Sequence, residues 1–429
     1  MKHLIKNSYS ILYIIILLFS SCKKEEEDTA STTAQLVASD FSTIHHGVFE
    51  EWDTLGKITT NISDTEELRF ELLNQAPENV LEILSDGSLR IAEETAIDFE
   101  KDSILSGEVV VHHQEESDTV FYHIQISNLK VFVSHWELNG TKTLYLPIHE
   151  GVPYAETAYN FTVDWGDGTS TKVTSFDDPD AIHHYATEGR KTVSIIGLLK
   201  GFNFYENDQS KNVIVDISSW GDISLGNAGV YFFECKNLVR FSAEDTPDLS
   251  ETSTMNYMFF GAERFEGGIS QWDVSNVTNM RYMFSWAEAF NDDLSSWDVS
   301  NVKDMRSMFY FAKTFNDDLS SWDVSNVRNM HYMFSGANVF TSDLSAWNVS
   351  NVIDMGYMFS GAYVFTSDLS AWDVSNVIDM SYMFNSAHAF NQDLSAWNTV
   401  NVTDCYNFSF NSALDSEYLP ILGSCFGNE

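Results

Sequence analysis

Carboxylates recur in the C-terminal half of this sequence at a spacing that could hold cations. Five of them follow one another every 25 residues, at Asp293, Asp318, Asp343, Asp368 and Asp393. If the repeats stack about 4.8 Å apart, neighbouring carboxylates repel by roughly 1 kcal/mol in water and by more at lower dielectric. Either capping of local turns or a ladder of bound calcium would offset this repulsion, and turn capping is the interpretation that we favour.

The sequence lacks the common catalytic motifs. It contains no G-x-S-x-G, no HExxH, no CxxC pair and no Gly-rich phosphate loop with its Lys. A glycosidase needs two carboxylates on one cleft, and the regular Asp column singles out no pair. His184 and Tyr185 are acid–base residues by type, but packing is the preferred interpretation. We therefore predict that the protein is not an enzyme, with a cryptic hydrolase as the least favoured alternative.

The Asp column belongs to a tandem repeat that runs from about Met255 to Leu414. Tryptophan recurs every 25 residues, at Trp272, Trp297, Trp322, Trp347, Trp372 and Trp397. Around each lies the pattern DLSxWDVSNVxxMxxMFxxAxxF. A fixed short period predicts a solenoid, in which each repeat buries its apolar face against the next one.

The apolar spacing within one repeat predicts a short strand followed by a short helix. Leu294, Trp297 and Val299 have the LxxLxL spacing of a leucine-rich repeat, and the apolar residues from Val302 to Phe315 recur at helical intervals. An Asn at each repeat can bond the backbone of the next one. These residues are Asn276, Asn301, Asn326, Asn351, Asn376 and Asn401.

A possible binding surface follows from the positions that vary between repeats. An aromatic column is formed by Tyr282, Tyr332, Tyr357 and Tyr382, and the residues just before this position include Arg281, Arg306 and His331. The rings could stack on a sugar or a protein partner, and half-buried packing is the alternative.

The repeat over Gly221–Leu414 resembles the BspA-like leucine-rich repeats of bacterial surface proteins. This resemblance implies a non-catalytic surface protein that adheres to extracellular protein or polysaccharide. A glycan-capturing lipoprotein of a nutrient-uptake system is the alternative. The last repeat departs from the pattern, as a terminal cap must. Because Cys405 and Cys425 flank this cap, we predict a disulfide between them.

The N-terminus carries the features of an exported lipoprotein. Residues 1–21 have a basic start and a short apolar run, as a signal peptide does, and Phe19-Ser20-Ser21-Cys22 resembles a bacterial lipobox with Cys22 as the acylated residue. In the tether, residues 22–35, a lysine and acidic run resembles the export signal of Bacteroidetes surface lipoproteins: Lys24, Glu25, Glu26 and Glu27. The resemblance implies a surface-exposed protein anchored by lipid in the bacterial outer membrane.

Two β-sandwich modules are predicted between the tether and the repeats. Residues 36–130 weakly resemble a cadherin-like module, and the resemblance implies possible calcium ligands at Glu51, Asp98 and Glu100. Residues 131–220 resemble a PKD-like module through the Trp165-Gly166-Asp167-Gly168 turn and the following His-rich strand entry. Residues 221–429 then form the solenoid and its cap.

The predicted fold class is thus mainly β with short helices, with two sandwiches followed by a leucine-rich-repeat-like α/β solenoid. The formal charge of -40 argues against nucleic acid as a partner, since that binding needs basic surface. No cofactor is predicted other than the possible calcium.

Overall fold

The computed structural model describes residues 11–16, 38–39, 54–57, 59–60, 68–76, 81–91, 104–114, 116–148, 158–205, 207–421 and 425–426. This part of the chain is mainly β, and its only helices are two 3-10 turns, Pro179–Ala181 and Ser416–Tyr418. Within the same ranges, none of the helices has the length and apolar character needed to cross a bilayer. The chain forms two compact units, Met1–Lys130 and Val131–Glu429.

The first unit consists of antiparallel sheets. Its strands are β1 (Ile11–Ile16), β2 (Ala38–Ser39), β3 (Thr54–Lys57), β4 (Thr59–Thr60), β5 (Leu68–Ala76), β6 (Leu81–Ile83), β7 (Ser88–Ile91), β8 (Ile104–His113) and β9 (Glu116–Leu129). The largest sheet has the order β1-β9-β8-β5, beside smaller sheets β3-β7-β6 and β2-β4. Val109 and Val111 of β8 are fully buried, as the period of two in a half-buried strand requires.

The second unit begins with a six-stranded sheet of order β13-β12-β15-β10-β16-β17. Its strands are β10 (Phe132–Leu138), β12 (Ala158–Asp164), β13 (Ser170–Val173), β15 (Gly189–Lys200), β16 (Ile214–Ser219) and β17 (Arg240–Phe241), while β11 (Thr143–Tyr145) and β14 (Ile182–His184) form a separate pair. The last two strands of the large sheet run parallel. The sheet continues into the repeats, since Arg240 bridges Gly267 and Trp220 packs at 5.5 Å on Trp272. The predicted boundary at residues 220–221 therefore lies inside one shared core.

The repeats are built from consecutive turns, so the predicted short helix in each repeat is wrong. Backbone amides bond alternately within a coil and to the next coil. In one coil the amides of Met305, Ser307, Phe309 and Phe311 donate to the carbonyls of Asn329, His331, Met333 and Ser335. The amides between them, of Met308, Tyr310 and Ala312, donate to carbonyls three residues earlier in their own coil. An α-helix cannot form, because half of its donors are used by the neighbouring coil.

The predicted strand in each repeat is also wrong as to position. The segment around Trp297 and Val299 forms turns, and the extended contact between coils is a single parallel bridge per coil instead. These bridges run through Thr254, Asn279, Asp304, Asn329, Asp354, Asp379 and Asp404. We call residues 254–418, joined in this way, the repeat stack.

The core of the repeat stack is a set of aromatic ladders. Rings of Phe284, Phe309 and Phe334 lie parallel at 5.5–5.6 Å, and the ladder that includes Phe290 and Phe315 runs beside them. Each repeat tryptophan from Trp297 onwards is nearly buried and donates its indole N–H to a carbonyl of the preceding coil. The buried N–H is thereby satisfied, which explains why Trp rather than Phe recurs at this position.

The side chains of both the Asn column and the Asp column form hydrogen bonds with backbone groups. The amide of Asn326 donates to the Ser300 carbonyl at 2.8 Å, and its equivalents repeat this contact along the stack. The carboxylate of Asp293 accepts from the backbone and the hydroxyl of Ser295, and the other members of the Asp column cap the same turn. The column thus forms the turn caps that the favoured interpretation predicted.

The C-terminal end of the repeat stack is closed by a changed coil. Phe408 meets Phe384 edge-on at 5.3 Å, and Phe426 meets Phe408 edge-on at 4.9 Å. A disulfide joins Cys405 to Cys425 across this end. The edge-on rings interrupt the parallel phenylalanine ladder at this end of the repeat stack.

We predict that Phe334→Ala lowers the free energy of unfolding by about 3–5 kcal/mol. The substitution removes ring contacts with Phe309 and Phe359 and with Phe340 at 4.1 Å. Val339→Ala, at a side chain that is 43% exposed, is the control and should change the free energy by no more than about 0.5 kcal/mol. Urea unfolding of the full chain measures both, and equal effects would contradict the ladder as the source of stability.

Candidate functional site

The predicted tyrosine column forms a ridge along the repeat stack. Tyr332 stacks on Tyr357 at 4.3 Å, and Tyr357 stacks on Tyr382 at 4.5 Å. Tyr282 stacks in the same way on Tyr257 at 4.7 Å. We call these five residues the tyrosine ridge. All are half-buried and have φ between 55° and 58°, so the left-handed turn of each coil aims these rings along the stack.

The ridge has one gap, which a tyrosine from another position fills. The equivalent residue in the coil between Tyr282 and Tyr332 is the buried Ser307. Tyr310 of the same coil meets Tyr332 edge-on at 5.4 Å. Burial, and then the neighbouring Tyr357, raise the pKa of Tyr332 to about 12. Its hydroxyl therefore stays protonated over the whole physiological pH range.

Beside the ridge, the exposed Trp286 ring lies against the half-buried Phe311 ring. Trp286 and Phe311 stack at 4.4 Å with planes 2° apart, and Tyr310 packs edge-on against both. We call these three residues the aromatic cluster. Trp286 is 38% exposed. Tyr310 and Phe311 are half-buried, so the part of the cluster that faces solvent is mainly the Trp286 side chain.

The backbone of this pair is unfavourable for bulky residues. Trp286 has φ 61° and Phe311 has φ 56°, a region that costs a residue with a side chain roughly 1–2 kcal/mol. Equivalent positions in three other coils are glycines, at Gly261, Gly336 and Gly361. Two consecutive coils therefore carry large aromatic side chains at a left-handed position where other coils have glycine or the small polar Ser386 and Asn411.

The predicted basic residues lie next to the ridge. The Arg281 guanidinium sits 5.5 Å from the centre of the Tyr257 ring. Arg306 forms an ion pair with Asp304 at 2.7 Å, and His331 Nδ1 lies 2.8 Å from an Asp354 oxygen. All three side chains contact other residues of the repeat stack and lie beside the tyrosine ridge.

The stacking leaves ring edges, not faces, available along most of the ridge. A sugar that stacks on an aromatic residue needs a free ring face, which the paired rings of the ridge use on each other. Trp286 of the adjoining cluster is more exposed than the ridge tyrosines. Sequence analysis missed Trp286, Tyr310 and Phe311 because it followed the regular columns. The sequence does contain an indication of this cluster, because Trp286 and Phe311 occupy a repeat position at which other repeats carry Gly.

The remaining predicted site residues lie outside the described part of the chain. They are the acylated Cys22, the export-signal residues Lys24, Glu25, Glu26 and Glu27, and the calcium candidates Glu51, Asp98 and Glu100. The apolar run of the predicted signal peptide contributes β1, which pairs with β9. Lipidation, export and calcium binding therefore stay predictions.

The turn between β12 and β13 gathers the side chains that most resemble a catalytic group. His183 Nε2 lies 2.9 Å from an Asp167 oxygen and its ring stacks on Trp165 at 4.7 Å. The buried Tyr185 donates its hydroxyl to the Trp165 carbonyl at 2.9 Å. Every group is engaged in closing the turn, which supports the packing interpretation of this segment.

Hydrogen bonds from Thr169, and then from His183, lower the pKa of Asp167 to about 2. Because the folded pKa lies below the unfolded value near 4, the ionised carboxylate stabilises the fold above that value. This stability is lost as pH falls through about 4 to about 2. We expect Asp167→Asn to show a smaller loss of thermal stability than wild type between pH 6 and pH 2. Asp177→Asn on the neighbouring loop is the control, and identical pH profiles for wild type and Asp167→Asn would refute the assignment.

Comparison with known proteins adds one family. The family model described as "Mycoplasma protein of unknown function, DUF285" matches residues 227–345 and 318–418. No curated protein and no solved structure matches the chain. The matched residues coincide with the first coils and the repeat stack, and the description of the family assigns no activity. Residues 227–418 are thus similar to the repeats of the DUF285 family.

Proposed function

We propose that this chain is a lipid-anchored protein of the bacterial outer surface that binds an extracellular protein or polysaccharide without catalysis. The repeat stack acts as a leucine-rich-repeat-like solenoid of the BspA-like kind. The sheets before it act as cadherin-like and PKD-like modules. In this proposal the aromatic cluster and the adjoining tyrosine ridge form the binding surface.

The observation that supports this proposal is the exposed Trp286 stacked on the half-buried Phe311, both with left-handed backbone. Their backbone would be more stable with glycine, as at Gly336, and a solvent-exposed tryptophan is a frequent anchor in protein recognition. Trp286 and Phe311 each cover one face of the other ring, so a sugar or protein partner would pack on the exposed remainder of Trp286. Stacking only offsets the backbone strain at these two positions, and this supports a role for them in binding.

Charge narrows the class of partner. The net charge of -40 repels nucleic acid and other polyanions. Around the cluster, Lys313 is paired with Glu288 at 2.7 Å, so this cation is already neutralised. A neutral polysaccharide, or a protein with a neutral or basic face, fits this surface best.

The alternative of a glycan-capturing lipoprotein depends on the same cluster, because the faces within the tyrosine ridge are covered. The hydrolase alternative is disfavoured because the repeated carboxylates are engaged in hydrogen bonds with their own turns. Asp293 and its equivalents accept hydrogen bonds from the turns that they cap, and this contact lowers the pKa of Asp293. A general acid of a glycosidase needs the opposite shift.

The binding experiment replaces both strained residues by the residue that other coils carry. We expect Trp286→Gly with Phe311→Gly to lower binding of the full chain to its partner at least tenfold, measured on glycan and extracellular-protein arrays. The urea midpoint should change little, because relief of roughly 1–2 kcal/mol of strain per residue opposes the loss of about 0.5–1.5 kcal/mol of stacking.

Tyr363→Ala is the matched control for this experiment. Its ring is 45% exposed and stacks on His388 at 5.1 Å, outside the cluster. Binding should survive this substitution. If the double glycine variant binds as tightly as wild type, the cluster is not the binding surface. Which of the two arrays responds decides between a protein and a polysaccharide partner.

The anchor has a separate test. We expect Cys22→Ala to abolish incorporation of labelled fatty acid and to move the protein from the membrane fraction to the soluble fraction. Cys235→Ala is the control, since Cys235 is a free, fully buried thiol. Membrane association and labelling that persist in Cys22→Ala would reject the lipid-anchor proposal.

A further inference from the structure

Three side chains with metal-binding atoms converge beside the tyrosine ridge. They are His331, Asp354 and Asp379, each from a different coil of the repeat stack, and one ligand atom from each lies within 4.8 Å of the other two. A nitrogen of His331 is 2.8 Å from Asp354. The three residues are separated by 23 and 25 positions in the sequence, and stacking of the coils brings them together.

The arrangement orients both carboxylates. Asp354 accepts from the Gly356 amide at 3.1 Å and from the Asn329 side chain at 3.3 Å. Asp379 uses one oxygen to accept from the Ser381 amide at 2.7 Å, and its second oxygen lies on the side of His331. Such outer contacts hold ligands in place before a metal binds.

The absence of a side chain at Gly356 leaves space for the His331 imidazole and the Asp379 carboxylate. A Cβ at Gly356 would lie 2.7 Å from His331 Nδ1 and 3.2 Å from the second oxygen of Asp379. The backbone of Gly356 is not among the left-handed positions, so its conformation does not require glycine. The missing side chain is explained by the space that the imidazole and the carboxylate need.

Asp354 and Asp379 occupy the position that forms the parallel bridge between coils. Neighbouring coils carry different residues at this position. Arg306 neutralises Asp304, and the bridging residues of two nearby coils are the uncharged Asn279 and Asn329. Towards the C-terminus the column instead carries carboxylates in consecutive coils, at Asp354, Asp379 and Asp404. The side chain that contacts Asp354 is a histidine, and an imidazole can ligate a metal whereas a guanidinium cannot.

We propose that His331, Asp354 and Asp379 form a binding site for a divalent transition-metal ion such as Zn²⁺ or Mn²⁺. One imidazole nitrogen with two carboxylates suits these ions, whereas Ca²⁺ and Mg²⁺ prefer oxygen alone. Three protein ligands leave at least one coordination position for water. The ion neutralises adjacent carboxylates and ties three successive coils together next to the tyrosine ridge.

The test is a calorimetric titration of the metal-free full chain with Zn²⁺, beside thermal unfolding with and without Zn²⁺. We expect one ion per chain and a rise in melting temperature. His331→Arg and Asp379→Asn should each weaken binding at least about tenfold. Both variants copy residues that neighbouring coils carry, Arg306 and Asn329, so both should fold.

Asp404→Asn is the matched control, because it removes a charge from the same column one coil beyond the site. It should bind Zn²⁺ as wild type does. Equal binding by wild type, His331→Arg and Asp379→Asn would assign the ion to the acidic surface at large and overturn the proposal. Failure of the wild-type chain to bind at millimolar Zn²⁺ would overturn it as well.

Discussion

Each coil depends on backbone amides that donate alternately to their own coil and to the next one. This alternation forces a left-handed residue at two places in every coil, for example Ser307 and Phe311. A coil cut from its neighbours would leave half of these donors unpaired. Stability therefore belongs to the interface between coils, as expected for quasi-one-dimensional proteins.

The same alternation determines which side chains meet. Residues 25 positions apart lie directly above one another, so identical residues form ladders of Phe, Trp, Asn and Tyr. Ladders of rings and amides stabilise the stack, because their contacts are short-range and mutually satisfied. A ladder of carboxylates repels itself unless hydrogen-bond donors offset the negative charge. At Asp293 these donors are the backbone amide and the hydroxyl of Ser295, and the equivalent Asp residues also accept from a serine. Function is best sought where a coil departs from the repeat.

Two departures lie close together on the stack. The first exposes Trp286, stacked on the half-buried Phe311, with both residues in the left-handed region. The second combines His331 with two carboxylates over a glycine. Tyr332 contacts both groups, with Tyr310 at 5.4 Å and His331 at 4.4 Å. A partner seated on the aromatic cluster would thus lie near the proposed metal site.

The sequence by itself determined the 25-residue period, the mainly β character, the turn-capping Asp column and the identity of the tyrosine column, because these depend on composition and spacing. It did not determine the local structure of a coil. The spacing from Met305 to Phe315 matches a helix, yet hydrogen bonds to residues 24 positions away replace the helical ones. Only the tertiary structure decided that Tyr310 fills the gap at Ser307, and that His331 reaches Asp354 and Asp379. These contacts join different coils and offset positions, so no periodicity within one repeat could reveal them.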